Sequence, residues 1–108
     1  MSRETDEKIS LMLKDLAGDF LNIHSNRTSL ITVTNLILSS DQKSARILLS
    51  VIPKEKERVA VIFANRLRAD FKEYIKKHSR VRYLPQVVFA PDLGEQNRQR
   101  IEELLETV

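Results

Sequence analysis

The chain has 108 residues, a formal net charge of +3 and no cysteine. This length suits one domain with one hydrophobic core, so we expect a single domain over residues 1–108. Without cysteine, disulfide bonds and thiolate metal sites are excluded. No apolar run is long enough for a membrane span or a signal peptide, so the sequence predicts a soluble cytoplasmic protein.

Amphipathic helices are predicted near both ends of the chain. Residues 5–23 carry apolar side chains three or four positions apart, the spacing of one helix face, and Thr5 or Asp6 is suited to cap this helix. A second helix follows Asp92 or Gly94 and is predicted to pack on the domain. Its apolar stripe comprises Ile101, Leu104, Leu105 and Val108.

A β-hairpin is predicted between residues 29 and 51. Residues 29–38 are rich in Leu, Ile, Thr and Val, and in residues 45–51 every second side chain, from Ala45 to Val51, is apolar, which gives one apolar face. Both patterns favour strands. The short polar side chains of residues 39–43 hydrogen-bond readily to their own backbone in turns, so we expect an antiparallel pair.

One long helix and a third strand are predicted after Pro53. The helix runs for up to about six turns, and a strand over residues 81–89 follows it. Because Pro85 cannot donate a ladder hydrogen bond, this strand is expected either to lie at a sheet edge or to begin irregularly. The predicted buried stripe of the helix comprises Val59, Ile62, Phe63, Leu67, Phe71, Tyr74 and Ile75.

The order of these elements predicts an α+β domain. It reads helix, strand, strand, helix, strand, helix, and we expect a three-stranded sheet covered by helices on one face. Charge is unevenly distributed over this domain. Residues 54–82 hold ten Lys and Arg against four Asp and Glu, a net of +6, which leaves −3 for the remainder. This segregation is typical either of a surface that binds phosphates or of a solvated helix face.

Residue patterns that carry catalysis are lacking in the sequence. His24 and His78 have no Cys or Glu at ligand spacing, and we interpret both as surface residues. The only glycines are Gly18 and Gly94, which excludes a phosphate-binding P-loop and a dinucleotide-binding fingerprint. We therefore expect no enzyme activity, no cofactor, no metal and no small-molecule substrate, and we expect a monomer.

Nucleic-acid binding is predicted to depend on Lys and Arg meeting phosphates. A GXXG loop, with which KH domains clamp a nucleic-acid backbone, does not occur in the sequence. The chain has four Phe and two Tyr, which fall mostly on apolar stripes, so an aromatic stacking platform is not expected.

Three blocks of residues resemble a known family. The first block joins residues 31–41, with the sequence ITVTNLILSSD, to the strand SARILLSV of residues 44–51. Residues 81–92 read VRYLPQVVFAPD, and residues 100–105 read RIEELL. In this order and spacing the blocks resemble the signatures of the ribosome-binding factor A family, of which the chain is identified as a divergent or minimal member.

The sequence departs from the family pattern at several positions. Ala69 stands where an ungapped alignment places the glycine of the family's helix kink, so the long helix is expected to run straighter or to bend for another reason. Residues 24–28 replace the family's D-P-R-x-G, its opening R-x-x-R-V is not recognisable, and the long polar tail of many relatives is not present after Val108.

The resemblance implies a KH-like fold of type II without a GXXG loop. Members of the family bind the small ribosomal subunit and its rRNA near the decoding region during late maturation and rRNA processing. They act as assembly factors rather than enzymes, and they matter most during growth in the cold. The expected partner is therefore the small ribosomal subunit.

Seven basic residues are candidates for rRNA contact. Arg80 and Arg82 are two positions apart on the predicted strand, and Lys72 and Lys76 are four apart on the helix, so each pair shares a face. The full set comprises Lys43, Arg46, Arg68, Lys72, Lys76, Arg80 and Arg82. Alternatively, several of these residues only cover apolar surface with their stems.

Other functions remain open from the sequence. A KH-like nucleic-acid-binding module unrelated to ribosomes would show the same basic face, but would not co-sediment with small subunits. A protein-interaction module would bind its partner with little salt dependence. A small hydrolase would show turnover that a single substitution abolishes.

Overall fold

The computed structural model describes residues 3–25, 28–81 and 83–94. These residues form helices and strands in the order α1 (Arg3–His24), β1 (Leu30–Leu38), β2 (Ser44–Ile52), a short 3₁₀ turn (Lys54–Lys56), α2 (Glu57–Arg66), α3 (Arg68–His78) and β3 (Gln86–Pro91). The predicted helix that carries Ile101–Val108 lies outside the described residues. Within the described part of the chain, none of the helices is long and apolar enough to cross a membrane.

The three strands form one mixed sheet in the order β1-β2-β3. Strands β1 and β2 pair antiparallel, which confirms the predicted hairpin. Strand β3 pairs parallel to β2, so the chain must cross over between them, and α2 and α3 form this connection. Strand β3 lies at an edge directly after Pro85, as predicted.

The described helices pack on one face of this sheet, as the sequence predicted. The inward side chains of β2 are Ala45, Ile47, Leu49 and Val51, and each is at most 5% exposed. Residues from all three helices join most of these in a single hydrophobic cluster. The side chains that alternate with them, Arg46 among them, lie on the opposite face, here called the outer face, which none of α1, α2 and α3 covers.

Three phenylalanine rings connect the layers of the core. Phe71 of α3 is fully buried, with its ring centroid 5.1 Å from that of Phe20 in α1 and 5.7 Å from that of Phe89 in β3. Tilted contacts at these separations are favourable for aromatic pairs. The position of α3 relative to β3 therefore depends on this group of rings.

The loop between β1 and β2 has the turn chemistry that the sequence predicted. The Asp41 carboxylate accepts hydrogen bonds from the Ser39 hydroxyl at 2.6 Å and from the Lys43 N–H at 3.0 Å. The bond from Ser39, and after it the bond from Lys43, holds the pKa of the Asp41 carboxyl below its ordinary value. Gln42 occupies the left-handed region with a φ of 60°, which tightens the loop.

Three predictions about element boundaries and burial are wrong. Helix α1 begins at Arg3, so Thr5 and Asp6 lie within the helix instead of at its cap position. Strand β3 begins at Gln86 rather than at residue 81, because pairing with β2 starts only there. Val59 and Ile62, both predicted to be buried, are 66% and 45% exposed, since α2 turns its small residues, two alanines, toward the core.

The predicted single long helix is interrupted at Leu67, which separates α2 from α3. Leu67 has a φ of −95° and a ψ of 9°, a conformation that needs no glycine. Its N–H donates to the carbonyl oxygen of Ala64 at 3.0 Å, a bond three residues back that ends α2. The side chain of Arg68 donates from Nε to the Asn65 carbonyl oxygen at 3.0 Å. The helix thus breaks before Ala69 is reached, and without a glycine.

Candidate nucleic-acid interface

An open groove lies between α3 and the free edge of β3. Arg68 and Lys72, one helical turn apart, supply the cations along its α3 side, and both are exposed. Its other wall is built from Leu84 and the first residues of β3, from Gln86 to Val88. The groove thus presents two cations on one side and the β3 edge on the other.

The free edge of β3 is largely closed by a side chain. The N–H of Phe89 donates to Asn65 Oδ1, and Asn65 Nδ2 donates to the Phe89 carbonyl oxygen, both at 2.9 Å. The N–H groups of Gln86 and Asp92 point toward β2. Because N–H direction alternates along a strand, the N–H groups of the odd-numbered residues of β3 point away from β2. Because Pro91 has no N–H, the outward donor left on β3 is Val87, which lines the groove.

Lys43 and Arg46 lie on the opposite side of β3 from the groove. The carbonyl oxygen of Lys43 accepts the N–H of Gln86 at 2.9 Å, so the exposed Lys43 borders the start of β3. Arg46 is exposed on the outer face, where it pairs across the sheet with Val88. Basic side chains therefore flank the first half of β3 on both sides.

Two of the remaining three candidates, Lys76 and Arg80, do not line the groove. Lys76 is one turn after Lys72, and its Nζ lies 3.4 Å from Oε1 of Glu73 in an exposed ion pair, which offsets part of its charge. Arg80 is exposed in the connection that follows α3. Arg82 lies outside the described residues. That all seven residues form one phosphate-binding surface stays a prediction.

Comparisons with known proteins identify the family of the chain. The family model described as Ribosome-binding factor A matches residues 2–105. The chain belongs to the ribosome-binding factor A family. Among curated members, the protein of Chlorobium phaeovibrioides is 30% identical over all of this chain and 93% of its own length. The protein of Chlorobaculum tepidum is 32% identical over all of this chain and 92% of its own length.

Solved structures of ribosome-binding factor A share this fold. The crystal structure of the protein from Thermus thermophilus superimposes with a TM-score of 0.68 at 21% identity, covering 79% of this chain and 93% of that one. Coordinates of the factor from the same species, fitted into a cryo-EM map of its complex with the 30S subunit, give a TM-score of 0.66 at 21% identity over 75% and 88% of the two chains. The expected KH-like α+β fold is thereby confirmed.

Three residues that shape this interface are not indicated by the sequence pattern. Asn65 contacts β3 across 24 positions of the chain, and nothing in its local pattern indicates that contact. The N–H of Val87 points away from β2 because of the register in which β3 pairs with β2. The pattern assigns Tyr83 to a strand, but Tyr83 precedes β3 and is 89% exposed. The one sequence signal for a role of Tyr83 in this interface is its position among basic residues.

Replacement of Asn65 by leucine is expected to destabilise the protein by about 2 kcal/mol, because the N–H and C=O of Phe89 lose both partners at a partly buried edge. The midpoint of urea unfolding measures this loss. Asn22→Leu is the matched control, since Asn22 is exposed on α1, and its effect is expected within about 0.5 kcal/mol. Equal midpoints for the two variants would contradict a role for Asn65 in closing the edge.

Proposed function

We propose that this chain is an assembly factor that binds the small ribosomal subunit and its rRNA in the cytoplasm during late maturation, without catalysing a reaction. The observation that carries this proposal is family membership over residues 2–105. A relative of the same fold has been fitted into a map of a 30S complex. The groove beside β3 supplies the physical means of attachment.

The charges around β3 support rRNA as the partner. Arg68 and Lys72 line the groove, while Lys43 and Arg46 border the other side of the strand. Cations on both sides of an extended edge suit a polymer with regularly spaced phosphates. Such contacts fix the position and register of the RNA without reading its base sequence.

Both histidines are exposed and lie against aromatic rings. The ring centroid of His24 is 4.4 Å from that of Phe20, and the ring centroid of His78 is 4.1 Å from that of Tyr74. Over residues 3–25, 28–81 and 83–94 no group of metal-ligating side chains is gathered. The ring contacts support the assignment of both histidines to surface packing.

A protein-interaction module is the second candidate, and the outer face of the sheet favours it. This face exposes four large apolar side chains, of Leu30, Ile37, Ile52 and Val88, to between 44% and 63%. An apolar contact surface binds a protein partner with little dependence on salt. Binding through the basic groove weakens steeply as salt rises, so the two candidates differ in a measurable way.

Sucrose-gradient fractionation of a cell extract tests the proposal. We expect the protein to sediment with free small subunits at low salt and to move to the top fractions when the salt is raised. Large subunits in the same gradient provide the control for general rRNA affinity, and assembled ribosomes provide the control for mature particles. A protein that stays in the top fractions at low salt would contradict the proposed function.

A further inference from the structure

Tyr83 is an aromatic residue that the fold does not use for packing. Its side chain is 89% exposed, whereas the other five aromatic side chains are buried or half-buried. The ring of Phe20, for example, contacts those of Phe71 and Tyr74 in the core and at its margin. Because Tyr83 contributes so little to the core, its aromatic ring is available to a ligand.

Tyr83 is followed directly by two residues that pack against the protein. Helix α3 ends at His78, and Tyr83 lies in the connection from α3 to β3. Leu84 packs against the core and lines the groove, and Pro85 is buried. Because Tyr83 directly precedes these two groove-lining residues, its backbone adjoins the groove that carries the basic side chains of α3.

We propose that Tyr83 stacks on an unpaired base of the RNA whose phosphates contact Arg68 and Lys72, so that the groove takes a single-stranded segment. This inference rests on the proposed function and specifies its ligand. An aromatic ring beside a cationic groove is the arrangement that binds single-stranded nucleic acid, since every base offers a face for stacking. Bases inside a duplex are already stacked and do not offer that face.

The surroundings of Tyr83 favour RNA over protein. Exposed tyrosines also serve as anchors in protein interfaces, at the centre of well-packed patches. Here the neighbours are cationic: Arg80 is exposed three residues earlier, and Arg68 and Lys72 line the adjoining groove. Most of the exposed apolar side chains of the outer face lie instead on β1 and β2.

Binding of a labelled single-stranded RNA and of isolated small subunits, each measured with Tyr83→Ala and Tyr83→Phe, tests the inference. Loss of one stacking contact lowers affinity about 5- to 150-fold, so Tyr83→Ala is expected to bind that much more weakly to both. Tyr83→Phe keeps the ring and is expected to bind like wild type. Because stacking neutralises no phosphate, the salt dependence of Tyr83→Ala should equal that of wild type.

Tyrosine fluorescence supplies a second readout that does not depend on affinity. The chain has no tryptophan and two tyrosines, so a Tyr74→Phe variant leaves Tyr83 as its one emitter. We expect single-stranded RNA to quench this emission, and a duplex of the same sequence to leave it nearly unchanged. Equal quenching by both RNAs would overturn the inference.

The possible failures are distinguishable. Wild-type protein that does not bind small subunits would overturn the proposed function. Subunit binding that Tyr83→Ala leaves intact would overturn the stacking inference alone. If Tyr83→Ala weakened subunit binding but left binding of single-stranded RNA unchanged, Tyr83 would be assigned to a protein contact. That result would also overturn the stacking inference.

Discussion

Reversal of two charges in the groove, Arg68→Glu together with Lys72→Glu, is expected to weaken binding to isolated small subunits about 30-fold or more near 0.1 M salt. Each phosphate contact makes the affinity at 0.1 M salt higher than at 1 M salt by about 0.7 to 0.9 log units. The double variant loses two such contacts. Repulsion by the introduced carboxylates adds to the loss. Filter binding or light scattering with purified subunits measures the effect.

The matched control is Lys54→Glu together with Lys56→Glu. Both lysines are exposed in the 3₁₀ turn after β2 and carry the same charge change. This turn follows Ile52, whereas the groove adjoins the start of β3 beside Ser44, at the other end of β2. We expect a much smaller loss from the control. Equal losses from the two pairs would show that net charge, rather than the groove, determines affinity.

Truncation of Phe71 to alanine is expected to destabilise the fold by about 3 to 5 kcal/mol, the range for removal of a buried aromatic ring that leaves a cavity. Phe71 is 0% exposed, and its ring contacts both Phe20 and Phe89. The loss therefore acts on α1, α3 and β3 at once. Urea unfolding followed by circular dichroism measures it.

Val59→Ala is the control for this truncation. It also removes apolar volume from the connection between β2 and β3, but from a side chain that is 66% exposed. Its expected effect is within about 0.5 kcal/mol. A Phe71→Ala protein with the unfolding midpoint of wild type would contradict the assignment of the three rings as the link between the layers.

Local patterns are sufficient to predict the hairpin and the first helix. Alternating apolar residues define β2, and Ser39 and Asp41 form the side-chain hydrogen bonds expected of a turn. Helix α1 requires only the spacing of its apolar residues. In both regions the interactions that decide the structure join residues close in sequence, so the sequence pattern contains them.

The break in the long helix and the start of β3 are not visible in local patterns. The apolar spacing continues through Leu67, which adopts an ordinary negative φ, so neither periodicity nor glycine indicates the break. The start of β3 is set by the hydrogen bond between Gln86 and Lys43, which are far apart in sequence, and not by composition. Asn65 and Phe89 meet in the same non-local way.

The candidate site is predictable only in part. The spacing of Arg68 and Lys72 places them on one helix face, and the structure brings both to one groove. That Lys43 and Arg46 border the other side of β3 follows from the parallel pairing, which the sequence does not indicate. The charge pattern thus identifies residues, whereas the topology determines which of them are neighbours.

The salt dependence of binding to purified small subunits tests the central claim most directly. With the four cations that flank β3 in contact with phosphates, log affinity is expected to fall with log salt at a slope of about −3 or steeper, since each contact contributes about −0.7 to −0.9. Arg68→Glu with Lys72→Glu should make the slope shallower by about 1.4 to 1.8. A wild-type slope near zero, or an unchanged slope in the double variant, would contradict the claim that the surface around β3 binds rRNA.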